Sequence, residues 1–204
     1  MNHYEMSMNK PYSDACDRNR DPILAVIGPL LANKRAVLEV GSGTGQHAAY
    51  FAAKLPHLTW HTSDRLQNHA AIQQWLNEAA LDNVHGPIEL DVLSGDWPTL
   101  DVDAVFSANT AHIMHWQDVV AFFAGVGELL PPDGLFMLYG PFSFGGRHTS
   151  ASNARFDLRL KQSDPGMGVR EFDELDKLAR QAGLIFEQDY PLPANNRILL
   201  WKKP

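Results

Sequence analysis

The sequence predicts an α/β fold: seven strands in a mostly parallel sheet, helices on both faces, and an antiparallel pair at the C-terminal end. Three observations predict it. Short apolar runs alternate five times with helically patterned segments, the order that builds parallel β-α units joined by right-handed crossovers. The first of those runs ends in a glycine-rich turn that leads straight into a helix. The last two apolar runs are separated only by a Pro/Asn-rich connection, too short to join parallel neighbours.

Each element has its own signal. Asp21-Pro22 reads as a helix start, Asp as the cap and Pro at the first helical position, with Ile23, Leu24, Ile27, Leu30 and Leu31 following at helical spacing. Ala36 to Val40 is a buried strand, and Gln46 to Leu55 the helix after it. Leu58 to Ser63 is a second strand; Leu66 to Ala80 is a helix with Ile72, Trp75, Leu76 and Ala79 on one face. Pro87 to Val92 reads as a third strand and Val102 to Ala108 as a fourth. Trp116 to Leu130 carries a broad apolar stripe from Val119 through Phe122, Phe123 and Val126. Pro131-Pro132-Asp133-Gly134 stops that helix and turns into a fifth strand, Leu135 to Tyr139. Glu171 to Ala182 is a last helix, with Gly183 where a left-handed cap is expected. Ile185 to Tyr190 and Arg197 to Lys202 form the terminal pair.

The 204 residues suit one domain with a substantial core, and neither a repeat nor a linker divides them. Within it, residues 1–20 are expected to act as an N-terminal cover, and residues 140–170 as an insertion or lid over the site. Lys and Arg number 17 against 24 Asp and Glu, a formal charge of −7, and the basic residues are scattered. That argues against nucleic acid and anionic membranes as partners. The single cysteine, Cys16, excludes an internal disulfide and a cysteine-only zinc site. No apolar run approaches the ~20 residues that span a bilayer, and residues 1–20 lack a signal-like apolar core, so a cytoplasmic location is expected.

The most informative stretch is Val37-Leu38-Glu39-Val40-Gly41-Ser42-Gly43-Thr44-Gly45-Gln46. Glycines directly after a buried strand let main chain approach a ligand where a Cβ would collide, and amides at the start of the next helix can meet polar groups. The dinucleotide fingerprint G-x-G-x-x-G needs its third glycine where Gln46 stands, and no Gly-Lys-Ser/Thr follows to make a P-loop. The spacing of Gly41, Gly43 and Gly45 instead resembles the first motif of the class I S-adenosylmethionine-dependent methyltransferases, matched from Glu39 to Gly45 without a gap. That resemblance implies a Rossmann-like sandwich and S-adenosylmethionine as cofactor, with Glu39, Gly41, Ser42, Gly43 and Gly45 at its binding turn.

The resemblance continues along the chain. It places Asp64, with Arg65 beside it, where the family binds the ribose hydroxyls; a carboxylate can accept from two vicinal hydroxyls, and a helix N-cap role is compatible. It places Asp91 and Val92 at the adenine edge, Asp91 being otherwise a solvated loop acid. Asn109 follows the fourth strand, where the methionine moiety lies. Both ends of the chain are also similar to a small methyltransferase-like family described only as a domain of unknown function. The similarity runs through Ser13 to Leu24, Tyr139-Gly140-Pro141-Phe142, Ser152-Asn153, Phe156-Asp157 and Asp164 to Arg170. Asn19 and Arg20 then belong to a cover over the cofactor, unless Arg20 is a solvated charge.

Methyl transfer from a sulfonium needs alignment and a dry pocket, with a base where the acceptor must lose a proton. The candidate catalytic residues are His112, Tyr139 and Asp157. His112 is either a base, a ring stacking near the cofactor, or structural. His112 and His115 stand three apart without the carboxylates that would make a metal site, so no metal is expected. Tyr139 either faces the methyl group or packs. Gly145 to Ser150 reads as a flexible polar loop. Arg147, Asn153, Asp157 and Arg170 could clamp a polar acceptor, or Asp157 and Arg170 pair structurally. The remaining histidines, His3, His57, His61 and His85 among them, form no ligand set. Methyl transfer to a small-molecule acceptor is the expected function. An inactive cofactor-binding regulatory module and, disfavoured by Gln46, a nicotinamide oxidoreductase are the alternatives.

Overall fold

A computed structural model describes residues 10–204. The expected cover therefore falls partly outside the described residues, as does His3. The strands are β1 (Ala36–Val40), β2 (Thr59–Asp64), β3 (Val84–Glu89), β4 (Ala104–Ala108), β5 (Leu135–Gly140), β6 (Phe142–Phe144), β7 (Arg147–His148), β8 (Arg170–Glu171), β9 (Ile185–Leu192) and β10 (Asn196–Lys202). The helices are α1 (Asp14–Leu30), α2 (Gln46–Lys54), α3 (His69–Ala79), α4 (Trp116–Leu129), α5 (Ala151–Ser163) and α6 (Phe172–Gln181).

Seven strands form the main sheet in the order β3-β2-β1-β4-β5-β10-β9. The first five are parallel, and β10 runs antiparallel to both β5 and β9. The strand order reverses between β1 and β4, so the crevice at their carboxyl ends is the place where such sheets bind ligands. Each central strand feeds two cores. Leu38, Val105, Phe136, Leu138 and Trp201 pack against α4 and α6 on one face, while Val37, Phe106, Met137 and Leu200 pack against α1, α2 and α3 on the other. Burial on both faces is why these strands read as largely apolar runs, interrupted by the buried Glu39 in β1 and Ser107 in β4. Among the described residues, no helix is long and apolar enough to cross a membrane.

Three elements differ from their sequence expectation. The first helix begins at Asp14, with Ser13 as the cap whose side chain accepts from the Cys16 amide, and runs through Pro22. Pro22 therefore lies well inside α1 and does not start it. Strand β3 begins at Val84 and ends at Glu89, before Asp91. It is an edge strand whose pairing with β2 shifts between His61 and Ser63, and an edge accommodates a proline without losing a ladder bond. The segment read as a flexible loop is ordered. Gly145 and Gly146, at φ of +58° and +72°, turn β6 into β7, β8 joins them in a three-stranded sheet, and α5 follows with Ser150 as its cap.

Candidate functional site

A cavity of about 980 Å³ opens at the carboxyl ends of β1, β4 and β5. Its floor is the glycine turn, one side is the first half of α1, and the opposite side is built from α5 and the turn between β9 and β10. Among the candidate residues, Asn19, Gly41, Ser42, Gly43, Asn109, His112 and Tyr139 lie on its wall. Arg20, Glu39, Gly45, Asp64, Arg65, Asp91, Val92 and Asp157 do not.

The three glycines of the turn have positive φ, +76°, +59° and +88° in order, but different neighbours. A Cβ on Gly41 would lie 2.5 Å from Thr110 Oγ1, and one on Gly45 would lie 3.0 Å from the Ile72 Cα. Those two glycines are required by the protein's own packing. A Cβ on Gly43 would meet nothing within 4 Å. The amides of the turn are less free than its sequence suggests. Gly41 and Ser42 both donate to the Ser63 carbonyl, Gly45 donates to the Ser42 carbonyl, and Gly43 donates to Asp64 Oδ2 at 2.8 Å. The Thr44 amide has no partner among the described residues.

Asp64 stands at the end of β2 and is tied to the turn. Its Oδ2 takes the Gly43 amide, and its Oδ1 takes the Arg65 amide and Asn68 Nδ2, each at 2.8 Å. A carboxylate offers about four acceptor positions, so one on Oδ2 stays open. Arg65 bridges onward, with Nε 3.3 Å from Asp91 and Nη2 3.8 Å from Asp118. Asp91 also accepts from the Leu93 amide, and Val92 is buried in the core. Asp64, Arg65 and Asp91 form a partly exposed shelf off the cavity wall. Glu39 lies beneath the turn, 1% exposed, accepting from Ser42 Oγ and Trp60 Nε1 at 3.1 Å each. Burial pushes its pKa up to about 7 against the pull of those two donors.

The α1 wall is held by residues that the motif reading left out. Gln46 Oε1 accepts from the Ser13 amide and from Thr44 Oγ1, and its Nε2 donates to the Ser13 carbonyl. It bolts the start of α1 to the glycine turn. His47 Nε2 lies 2.7 Å from Asn19 Oδ1, with Cys16 Sγ 4.0 Å from its Nδ1. Burial, with Arg20 nearby, lowers the His47 pKa to about 4. Arg20 itself turns from the cavity, bonding Asp17 at 2.6 Å and covering the Tyr50 ring. Burial raises the pKa of the Tyr139 phenol, offset in part by the nearby Asn19 side chain, and it stays protonated at neutral pH.

His112 sits on the opposite wall, its ring 5.1 Å from Phe156 in an edge-to-face contact. Burial and the nearby Arg170 charge lower its pKa to about 4, so the ring is neutral at ordinary pH. Among the described residues neither ring nitrogen has a hydrogen-bond partner, which leaves an imidazole lone pair for a ligand. His115 is drawn elsewhere, to Asp164 at 2.9 Å. Asp157 is committed to the fold. It takes Lys161 at 2.7 Å and the Val169 amide at 2.8 Å, with His148 at 3.5 Å. It does not pair with Arg170, whose guanidinium donates to the carbonyls of Ala111, Met114 and Gly166. Asp157 and Arg170 therefore brace α5 and its approach, and Arg147 is exposed off the wall. Of that proposed clamp only Asn153 reaches the wall, where Nδ2 fixes α5 to Thr149 and to the Asn195 carbonyl. Asn153, Phe156 and Arg159 share the cavity face of α5, spaced three apart.

The family described as proteins of unknown function, DUF938, matches residues 10–203. The chain belongs to the DUF938 family. Solved structures share its fold. Mitomycin 7-O-methyltransferase MmcR superposes with a TM-score of 0.82 at 18% identity, over 93% of this chain and 54% of that one. An O-methyltransferase family protein from Burkholderia thailandensis gives 0.81 at 19%, over 93% and 57%. PigF, solved with SAH, gives 0.77 at 19%, over 93% and 64%. This DUF938 chain has the Rossmann-like methyltransferase fold, and spans little more than half the length of the first two of those proteins.

Proposed function

We propose that this DUF938 protein is an S-adenosylmethionine-dependent methyltransferase acting on a small-molecule acceptor. The observation that carries the reading is the bare main chain at Gly43, where a Cβ would enter open space beside a cavity instead of striking the protein. A turn that needs glycine for its φ at three positions, yet leaves only the middle one facing outward, suits close approach of a ligand. The residues present fit the cofactor. One Asp64 acceptor position remains for a hydroxyl, the Asp91 shelf lies beyond it, and the cavity sits at the upper end of the ~300–1,000 Å³ typical of small-molecule sites. What is known of structures such as PigF with SAH supports the same choice of cofactor.

When bound, S-adenosylmethionine supplies a methyl group already activated on a sulfonium, so the chain's work is alignment and exclusion of water. Asp64 and the glycine turn hold the nucleoside end. The first half of α1, anchored by Gln46, covers the turn from above, and α5 closes the far side. Neutral His112 accepts the proton that a hydroxyl or amine acceptor must lose. Tyr139, kept protonated by burial, presents a phenolic donor on the lining of the same cavity. The net charge of −7 favours a metabolite over nucleic acid as acceptor. A reducing, cytoplasmic setting suits the single free thiol.

Titration calorimetry with S-adenosylhomocysteine and S-adenosylmethionine, against NADH as the control, tests this. Saturable heat with both sulfur nucleosides and none with NADH is expected. Absence of heat with either sulfur nucleoside would sink the proposal.

A further inference from the structure

The cavity wall is electrically one-sided. Among the described residues its only ionised side chains at neutral pH are the solvent-exposed guanidinium groups of Arg18 on α1 and Arg159 on α5. Among the described residues no Asp or Glu lies on the wall, although the chain carries 24 of them against 17 Lys and Arg. The other titratable wall groups are uncharged. His47 and His112 are neutral because burial depresses both, while burial raises Cys16 and Tyr139 and keeps their protons on. Among the described residues neither arginine has an ion pair or a hydrogen bond. Of the acids near Arg18 on α1, Asp17 is engaged by Arg20 and Tyr12 and Asp21 by Tyr50, while Asp14, one turn back, forms no ion pair with it among the described residues.

Arg159 stands near an aromatic ring. Its guanidinium carbon lies 5.8 Å from the centre of the Phe156 ring, one helical turn back on the same face of α5. Phe156 in turn meets the His112 ring edge-to-face at 5.1 Å. A neutral imidazole, an apolar ring and a cation thus follow one another along a single wall. A bound sulfonium would add further positive charge to a space that already faces two unpaired guanidinium groups. The uncompensated component of such a site is an anion.

Resting on the methyl-transfer reading, we propose that the acceptor is an aromatic or similarly flat anion, carrying a carboxylate or a phosphate. Its ring packs on Phe156, its anionic group meets the Arg159 guanidinium with Arg18 facing it from α1, and its hydroxyl or amine lies toward His112. A guanidinium fork suits either anion, and the choice between them is an arm of the test.

Calorimetry on protein saturated with S-adenosylhomocysteine would compare para-hydroxybenzoate with para-hydroxybenzamide, 6-hydroxy-2-naphthoate with its amide, and para-hydroxyphenyl phosphate with hydroquinone. The anion of at least one pair should bind roughly tenfold more tightly than its neutral counterpart, the size of one charge-assisted contact. The pair that shows the preference identifies the anion. Arg159→Gln should abolish it and Arg18→Gln reduce it, each melting like wild type and each binding S-adenosylhomocysteine unchanged. The proposal is overturned if no anion outbinds its neutral partner, or if Arg159→Gln leaves the preference intact. It is equally overturned if Arg159→Gln weakens S-adenosylhomocysteine itself, since the arginine would then serve the cofactor. Should wild type bind no S-adenosylhomocysteine, the methyl-transfer reading fails, and the same comparison on the cofactor-free protein still decides the anion site.

Discussion

Alanine at Gly43 and alanine at Gly41 separate two reasons for requiring a glycine. At Gly43 the backbone has φ of +59° and a Cβ would meet nothing within 4 Å. Alanine there carries only left-handed backbone strain, about 1–2 kcal/mol, which for a chain of this size lowers Tm by roughly 2–8 °C. At Gly41 the same strain is joined by a collision, with a Cβ 2.5 Å from Thr110 Oγ1 and 2.7 Å from its Cγ2. Overpacking of that kind adds about 1–3 kcal/mol, so Gly41→Ala should lose about two to three times as much stability. Binding should rank the other way. Gly43→Ala places a methyl group on the surface that the cofactor must touch, and its affinity for S-adenosylhomocysteine should fall more than roughly tenfold. Gly41→Ala, once folded, should bind within a few-fold of wild type. Differential scanning fluorimetry gives the first ranking, and calorimetry well below both melting temperatures gives the second. A Gly43→Ala protein that binds S-adenosylhomocysteine like wild type would refute the reasoning, because the open face of the turn would then touch nothing.

Three further substitutions test the rest of the site. Asp64→Ala removes the acceptor proposed for the cofactor and also three intramolecular hydrogen bonds, from Gly43, Arg65 and Asn68. S-adenosylhomocysteine affinity should drop by about 1.5–3 kcal/mol with a fall in Tm, and an unchanged dissociation constant would reduce Asp64 to a brace for the turn. His112→Ala should lower turnover by about 10²–10⁴ while S-adenosylhomocysteine affinity holds; the opposite pattern would remove it as the base. Glu39→Gln probes the buried acid through pH. The folded pKa of about 7 lies above the ordinary 4.5, so the folded state holds the proton more tightly than the unfolded chain. The stability this brings is present below 4.5 and lost as pH rises through 7. Gln cannot ionise and keeps an acceptor for Ser42 and Trp60. The variant should therefore gain about 3 kcal/mol on wild type between pH 4.5 and pH 8, read from urea unfolding. A gap that stays constant across that range would show that Glu39 ionises without penalty.

The elements hidden from the hydrophobic pattern are those that face the cavity. Strands β1, β4 and β5 are buried on both faces, so their sequences are mostly apolar and their limits nearly readable. The first half of α1 turns Cys16 and Asn19 toward the cavity, and α5 turns Asn153 and Phe156 toward it from the other side. A helix face that borders an open cavity is not buried against the core, so it need not carry an apolar stripe for periodicity to detect. Its signals are local: Ser13 before α1 and Ser150 before α5 are both capping residues, and both caps form. For the same reason Arg159 carries no signal of its own, since an arginine on a polar helix looks like any solvated charge. Asp157, which the sequence makes as attractive as its neighbours, points into the contacts of Lys161 and Val169 because it sits one position past Phe156 on a helix.

Gln46 shows how a departure from one pattern can serve another. In a dinucleotide fingerprint a glycine at this place lets helix and strand approach closely. Here the residue is buried, and its amide makes three hydrogen bonds that join Ser13 to Thr44 across the mouth of the turn. Glycine would leave the Ser13 amide and carbonyl without those partners and unmoor the start of α1. The polar first half of that helix has little apolar surface of its own to hold it down, so its position depends on bonds of this kind. The residue that breaks the fingerprint is thus the one that lets a stretch of polar chain stand over the glycine turn as a wall of the site.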